Sequence, residues 1–163
     1  MMQLRQVLVA TDFSEASDVA MDYGRALAQT FGASLHLLHV AGNTFLHPTP
    51  ADPHQTAAST ARRLGERLTA DDRATLHATA AIKTSDNAAE EIVKYARAHH
   101  IDVVVVGTHG RGPMARVLIG SVAERVVRTA PCPVLTVRHP ERNFVTPDAT
   151  EPGTQQRPGG RPS

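Results

Sequence analysis

A run of four valines, Val103 to Val106, sits inside the segment IDVVVV (101–106) and is followed directly by Gly107. β-Branched side chains fit extended backbone well. Alternation of apolar and polar residues would mark a strand with one wet face. This segment has none after Asp102, so both of its faces must be covered. A strand of that kind belongs inside a parallel sheet with helices on either side, and this requirement governs the reading of the other segments.

The rest of the chain supplies what such a sheet needs. Leu4 to Ala10 and Ser34 to Val40 read as short apolar strands, Ala74 to Ile82 as a poorly alternating one, and Val134 to Val137 as the last. Between them, apolar residues recur at intervals of three and four. They do so in Ser14 to Phe31 (Ala16, Val19, Ala20, Tyr23, Ala26, Leu27) and in Asn87 to His99 (Ala88, Ile92, Tyr95, Ala96). With an Ala-rich helix from about Gln55 to Thr69 and a further helix from about Val117 to Thr129, the pattern predicts four helices. Ser14 and Asp86 stand where N-caps are expected, and Gly32 where a left-handed residue closes a helix. Strands alternating with helices imply right-handed crossovers. The expected fold is a doubly wound α/β domain, Rossmann-like or flavodoxin-like. Its five-stranded parallel sheet has the order 3-2-1-4-5 and helices on both faces in three layers.

The 163 residues suffice for one domain, with 41% hydrophobic residues to fill its core. After Arg138 the composition changes: five of the eleven prolines and three of the eleven glycines lie beyond it. The domain is therefore expected over 1–138, with a disordered tail over 139–163. Ala41 to His54, with Pro48, Pro50 and Pro53, reads as a loop. A formal charge of +1, from 17 basic and 16 acidic residues, argues against a nucleic-acid or membrane-surface partner. The apolar stretch Val7 to Ala10 is cut short before Asp12, too brief for a signal or spanning segment. The single cysteine, Cys132, has no internal partner for a disulfide, in keeping with a cytoplasmic protein.

In an open parallel sheet a ligand sits beyond the carboxyl ends of the strands, where the strand order reverses. Two segments fall there: Ala10-Thr11-Asp12-Phe13-Ser14 after strand one, and Gly107-Thr108-His109-Gly110-Arg111-Gly112 after strand four. Glycines without Cβ atoms allow positive φ and let an anion approach backbone N–H groups. Gly120 and Ser121 follow near the start of the next helix, where unpaired N–H groups and the dipole favour phosphate. Arg111 is the strong cation of the loop and either pairs with a phosphate or faces solvent. A glycine cluster after a strand is also an ordinary turn, and Asp12 alone is also a helix cap. Neither GxxxxGK[ST] nor GxGxxG with its acidic partner is present.

Taken together, these residues resemble the universal stress protein family over roughly residues 4–138. The ATP-binding branch of that family is marked by Gly, two residues, Gly, nine residues, then Gly followed by Ser or Thr. Here that reads Gly107-Thr-His-Gly110, nine residues, Gly120-Ser121. ATDFSE (10–15) and VAERVVRTAPCPVLTV (122–137) are also similar to the family's segments. The resemblance implies that Asp12 contacts ribose and adenine, with Ala10 and Thr11 beside it, and that the backbone of Val40 meets the adenine edge. Gly107, His109, Gly110, Arg111, Gly120, Ser121 and Val122 match the phosphate-binding stretch. It further implies ATP with Mg2+ carried on the phosphates, a homodimer formed through the edge strand Val134 to Val137, and a regulator of the stress response. A nucleotide-independent scaffold and a slow ATPase are the alternatives. His109 stands in the phosphate loop, but no carboxylate is placed by sequence to orient it as a base.

Nine histidines raise a metal site as a further possibility. His36 and His39 lie three apart in a strand, on opposite faces, and do not share one ion. His47 and His54 have no Cys or paired carboxylate beside them. Cys132, between two prolines, lacks the cationic neighbour or helix N-terminus that activates a thiol and reads as structural.

Overall fold

The computed structural model describes residues 3–42, 57–108 and 120–138. The sheet grows outward from the valine run. β4 (Val103–Gly107) has its four valines buried and pairs in parallel with β1 (Gln6–Thr11), Ala10 opposite Val106. β2 (Ser34–Ala41) flanks β1 on its other side, Thr11 opposite His39. β3 (Thr79–Thr84) and β5 (Val134–Val137) close the two edges, giving the order β3-β2-β1-β4-β5 with all pairings parallel. This is the doubly wound arrangement expected.

α1 (Glu15–Phe31) starts at Ser14, whose side chain accepts the Ser17 N–H, and ends at Gly32 in the left-handed region (φ 62°). Both capping residues are those expected, and each acts for the anticipated reason. Midway, Gly24 packs so close to β1 that a Cβ there would overlap Cγ2 of the fully buried Val9. The sheet's two faces carry separate cores. Val7, Val9, Leu35, Leu37, Val103 and Val105 face α1. Leu8, Leu38, Val104 and Val106 face α4 (Ala88–Ala98) and α5 (Ser121–Thr129).

Four details depart from expectation. The helix after the proline-rich stretch is α2 (Ala57–Glu66), and a further short helix, α3 (Ala70–Thr75), follows it. The described residues thus hold five helices rather than four. β3 begins at Thr79 rather than Ala74, because a capping box between Thr69 and Asp72 starts a helical turn over those residues instead. α4 is capped by Asn87, which accepts the Glu90 N–H, and not by Asp86. Gly120 is the N-cap of α5, whose earlier predicted start at Val117 lies outside the described residues. So do 43–56 and the tail, 139–163.

Candidate functional site at the carboxyl edge of the sheet

The chain runs from β1 outward to β2 and β3 on one side, then returns to place β4 and β5 on the other. The order reverses between β1 and β4, and the crevice beyond their carboxyl ends is the natural ligand position of such a sheet. With Ala10 level with Val106, Thr11 and Gly107 leave the sheet side by side. Ala10 and Val40 belong to the face covered by α4 and α5 and lie half-buried against its core. Gly120 is drawn to the same edge by its N–H, which donates to the Thr108 carbonyl at 2.6 Å. Ala10, Thr11, Asp12, Val40, Gly107, Gly120, Ser121 and Val122 therefore gather at one end of the sheet. His109, Gly110 and Arg111, with Gly112 and Pro113, lie outside the described residues.

The turn after β1 is held by its own hydroxyls. Thr11, 6% exposed, has Oγ1 3.0 Å from Ser17 Oγ and accepts the Phe13 N–H at 3.0 Å. Any ligand contact at Thr11 is left to its backbone. Asp12 is exposed, and its Oδ1 accepts from both the N–H and the hydroxyl of Ser14. Ser14 is thus the cap of α1, and Asp12 braces the cap residue rather than capping the helix itself.

The glycines have a different cause from the one expected. Neither Gly107 nor Gly120 has positive φ; among described glycines only Gly32 does. A Cβ on Gly107 would lie 2.8 Å from the Ala16 carbonyl carbon and 2.9 Å from its oxygen, so Gly107 lets α1 rest on the end of β4. A Cβ on Gly120 would lie 2.8 Å from the Thr108 carbonyl oxygen, so Gly120 lets the two ends of residues 108–120 meet at a neck. Close approach of backbone, not left-handed geometry, is what excludes side chains at both positions. α5 begins at this neck with no side-chain cap on its N-terminus. Its first N–H groups and positive dipole end face the crevice without an internal acceptor of that kind, whereas α1 next to it is capped by Ser14.

The family of the chain follows from comparison with known proteins. The sequence profile of the universal stress protein family fits residues 3–138. The chain belongs to the universal stress protein family. A universal stress protein from Thermus aquaticus is 32% identical over 145 residues, 82% of this chain and 98% of that relative. The structure of a universal stress protein from Lactobacillus plantarum, 26% identical, superposes with a TM-score of 0.72 and covers 85% of this chain and 100% of that one. A further universal stress protein, solved in complex with cAMP and 24% identical, shares the fold at a TM-score of 0.61, over 83% of this chain and 98% of the other.

Two residues of this universal stress protein that periodicity did not mark out lie against the turn on the α1 side of the sheet. Phe13 has φ 64°, a left-handed conformation that costs a bulky residue roughly 1–3 kcal/mol unless its surroundings hold it. Its ring lies 4.3 Å from that of His39, and the guanidinium carbons of Arg63 and Arg67 lie 4.2 and 4.7 Å from its centroid. His39 Nδ1 donates to the Thr11 carbonyl at 2.8 Å. The only forewarning in the sequence was that His39 continues the Leu35, Leu37 face at a spacing of two.

His36 takes the opposite face, as expected, near the amino end of the sheet. Its Nε2–H donates to Gln6 Oε1 at 2.8 Å, which leaves Nδ1 to accept from the Tyr95 hydroxyl at 3.0 Å. No helix among the described residues is long and apolar enough to cross a membrane. Cys132 is half-buried rather than buried, and burial together with Asp102 pushes its thiol above the ordinary range, the reverse of what a reactive thiol needs.

Both histidines predict a pH dependence of stability. Burial lowers the His36 imidazole, with His99 adding to it. Burial also lowers His39, with Arg63 and Arg67 adding to it against the Thr11 carbonyl and Asp12. A depressed histidine is neutral in the folded protein at pH values where the unfolded chain already binds the proton, so folding loses free energy as pH falls below the ordinary value of 6.5. Urea midpoints are expected to be higher at pH 7.5 than at pH 5.5, a window well above that of the carboxylates. Equal midpoints would mean that the two imidazoles are not held neutral.

Proposed function

We propose that this universal stress protein binds ATP in the crevice between β1 and β4, with Mg2+ carried on the phosphates. The observation that carries the reading is the pairing, across one switch point, of an exposed aspartate with an uncapped helix N-terminus. Asp12 on the β1 side suits the hydroxyls of a ribose, since a carboxylate accepts from both. The α5 start, with Gly120, Ser121 and Val122, suits a polyphosphate, because no side-chain cap among the described residues takes its first N–H groups and Ser121 adds an exposed hydroxyl. Ala10 and Val40, half-buried on one face, offer apolar contact and strand-end backbone to a base. His109, Gly110 and Arg111 complete the phosphate side in this reading, and the relative solved with cAMP lends support for an adenine nucleotide. Gly107 enters as the packing residue that keeps α1 beside the crevice.

The protein acts, in this reading, as a nucleotide-dependent regulator in the cytoplasm and not as a fast enzyme. Its domain spans 1–138, and pairing of β5 with the same strand of a second copy makes a homodimer. β5 is an edge strand with Val134 and Leu135 half-exposed, which suits such pairing.

Calorimetry with ATP·Mg is expected to show saturable binding. Gly120→Val should weaken it at least tenfold, about 1.4 kcal/mol, because the new side chain meets the Thr108 carbonyl and forces the neck and the α5 start apart. Binding unaffected by the change would overturn the placement of the phosphates. Mass spectrometry of ligand released from the purified protein separates an ATP-bound protein from a scaffold with an empty crevice. Steady turnover abolished in His109→Ala with binding retained would establish the slow ATPase.

A further inference from the structure

The nucleotide reading gives no task to the cluster on the opposite face of the sheet edge, although it holds Phe13 with its left-handed backbone beside the crevice. His39 points with Leu35 and Leu37 toward the α1 side, while Ala10 and Val40 face the α4 and α5 side. It is therefore placed to act on a ligand in the crevice only through the residues between them. The link is direct: His39 Nδ1–H donates at 2.8 Å to the carbonyl of Thr11, the residue immediately before Asp12.

Every group around that carbonyl bears on the same turn. Phe13, with φ 64°, packs its ring against the His39 ring, and its N–H is taken by Thr11 Oγ1. Arg63 of α2 and Arg67, the residue just after that helix, lie over the Phe13 ring, and Arg67 is tied in turn to Asp18 of α1 at 2.8 Å. Asp12 then turns back to brace Ser14. His39 of β2 and Ser17 of α1 thus meet at Thr11, while Arg63 and Arg67 cover the Phe13 ring, and together they hold Phe13, two residues after Thr11, in a conformation that it would not adopt alone. Strain of this kind persists only where neighbouring contacts over-determine it, and here the contact on the Asp12 side is the imidazole N–H.

We propose that His39 is a positioning residue for nucleotide binding: by holding the Thr11 carbonyl it aims the Asp12 carboxylate into the crevice. The role rests on the ATP reading given above. It assigns to His39 a single hydrogen bond at Nδ1, a position that the side-chain N–H of asparagine also occupies, so the bond and the ring can be separated by substitution.

The test compares the full-length wild type with His39→Asn and His39→Val, using ATP·Mg as the calorimetric probe and amide hydrogen exchange at Phe13 and Ser14 as a second measurement made without nucleotide. His39→Val, a residue at ease in a strand, should weaken ATP at least fivefold and speed exchange at both amides. His39→Asn should restore both to within about twofold of the wild type, which a purely space-filling role of the ring would not produce. Wild-type affinity in the valine variant overturns the positioning role and leaves the ATP reading standing, as does an asparagine variant no better than valine. A wild-type protein that takes up no ATP defeats the ATP reading and this role with it, whatever the exchange rates show.

Discussion

Replacing Asp72 by alanine is expected to lower the free energy of unfolding by roughly 3 kcal/mol. Asp72 is 1% exposed, yet it carries a charge, and the structure shows why this is tolerated. Oδ1 accepts from Arg25 Nε at 2.7 Å and Oδ2 from Arg25 Nη2 at 3.0 Å, a two-pronged pairing of planar groups. Oδ2 also accepts the Thr69 N–H at 2.9 Å, and Thr69 returns its hydroxyl to the Asp72 N–H, completing the capping box of α3. Burial alone would raise this carboxyl; the Arg25 guanidinium and the Thr69 groups hold it below the ordinary range instead. The pair joins α1 to α3 across a large separation in sequence, and the Asp72 carbonyl takes the Leu76 and Ala78 N–H groups that lead into β3.

Alanine removes the return half of the capping box, leaving the Thr69 N–H without its acceptor, and leaves the guanidinium only the weaker contacts to Asp22 and the Arg67 carbonyl. The Arg25 side chain keeps 24% exposure, so water reaches it and the loss should fall near the low end of the roughly 3–5 kcal/mol seen for broken buried pairs. Urea unfolding of Asp72→Ala, Asp72→Asn and the double variant Arg25→Leu with Asp72→Leu resolves the contributions. Asparagine keeps an oxygen for the Thr69 N–H and should lose less than alanine. The double variant should recover part of the loss, since no buried charge is left unpaired; Asp22, which loses its contact with Arg25, is 45% exposed. A single alanine variant within 0.5 kcal/mol of the wild type would show that this pair is not what fixes α3. The sign with pH follows from the lowered carboxyl: its contribution is complete above the ordinary value of 3.8 and fades as pH falls below it, well under the window of the two histidines.

Asp72 also marks where the sequence stopped being informative. β1, β2, β4, β5 and their order were readable because each strand is an apolar run and each long helix keeps a three-and-four spacing, and Ser14 and Gly32 announce their helix ends by residue type. α3 is six residues, ADDRAT, with only Asp72 buried. No apolar periodicity can reveal a helix whose buried anchor is a carboxylate waiting for an arginine 47 positions away. β3 has one half-buried residue and five exposed ones, so alternation was absent from a strand that is wet on both faces. At the crevice, Gly107 and Gly120 were expected to be bare for a ligand, whereas in the structure a side chain at either would meet backbone. Glycine is selected equally by positive φ, by a ligand close to the backbone and by backbone packed against backbone, and sequence alone does not separate the three. Phe13 and His39 were hidden because their contacts are made between β2, α1 and α2, and neither residue type advertises a tertiary hydrogen bond.

That ambiguity at Gly107 has a measurable resolution. Gly107→Ala is expected to cost roughly 1–3 kcal/mol in stability, as overpacking does, and to weaken ATP about tenfold at the same time. The added Cβ would sit 2.8 to 3.0 Å from three atoms of Ala16, two of them backbone. Helix backbone cannot swing aside as the tip of a long side chain can, so α1 must move as a body. Ala16 lies two residues from Ser14, which is braced by Asp12, and any shift of the α1 start carries the aspartate with it, away from the helix N-terminus opposite. Stability and affinity should therefore fall together, by roughly 3–10 °C in thermal midpoint for a domain of this size and about an order of magnitude in Kd. If instead Gly107 were bare to admit a phosphate, the alanine variant would lose affinity with its thermal midpoint unchanged. If it loses midpoint but binds ATP as the wild type does, Asp12 is not part of the nucleotide site.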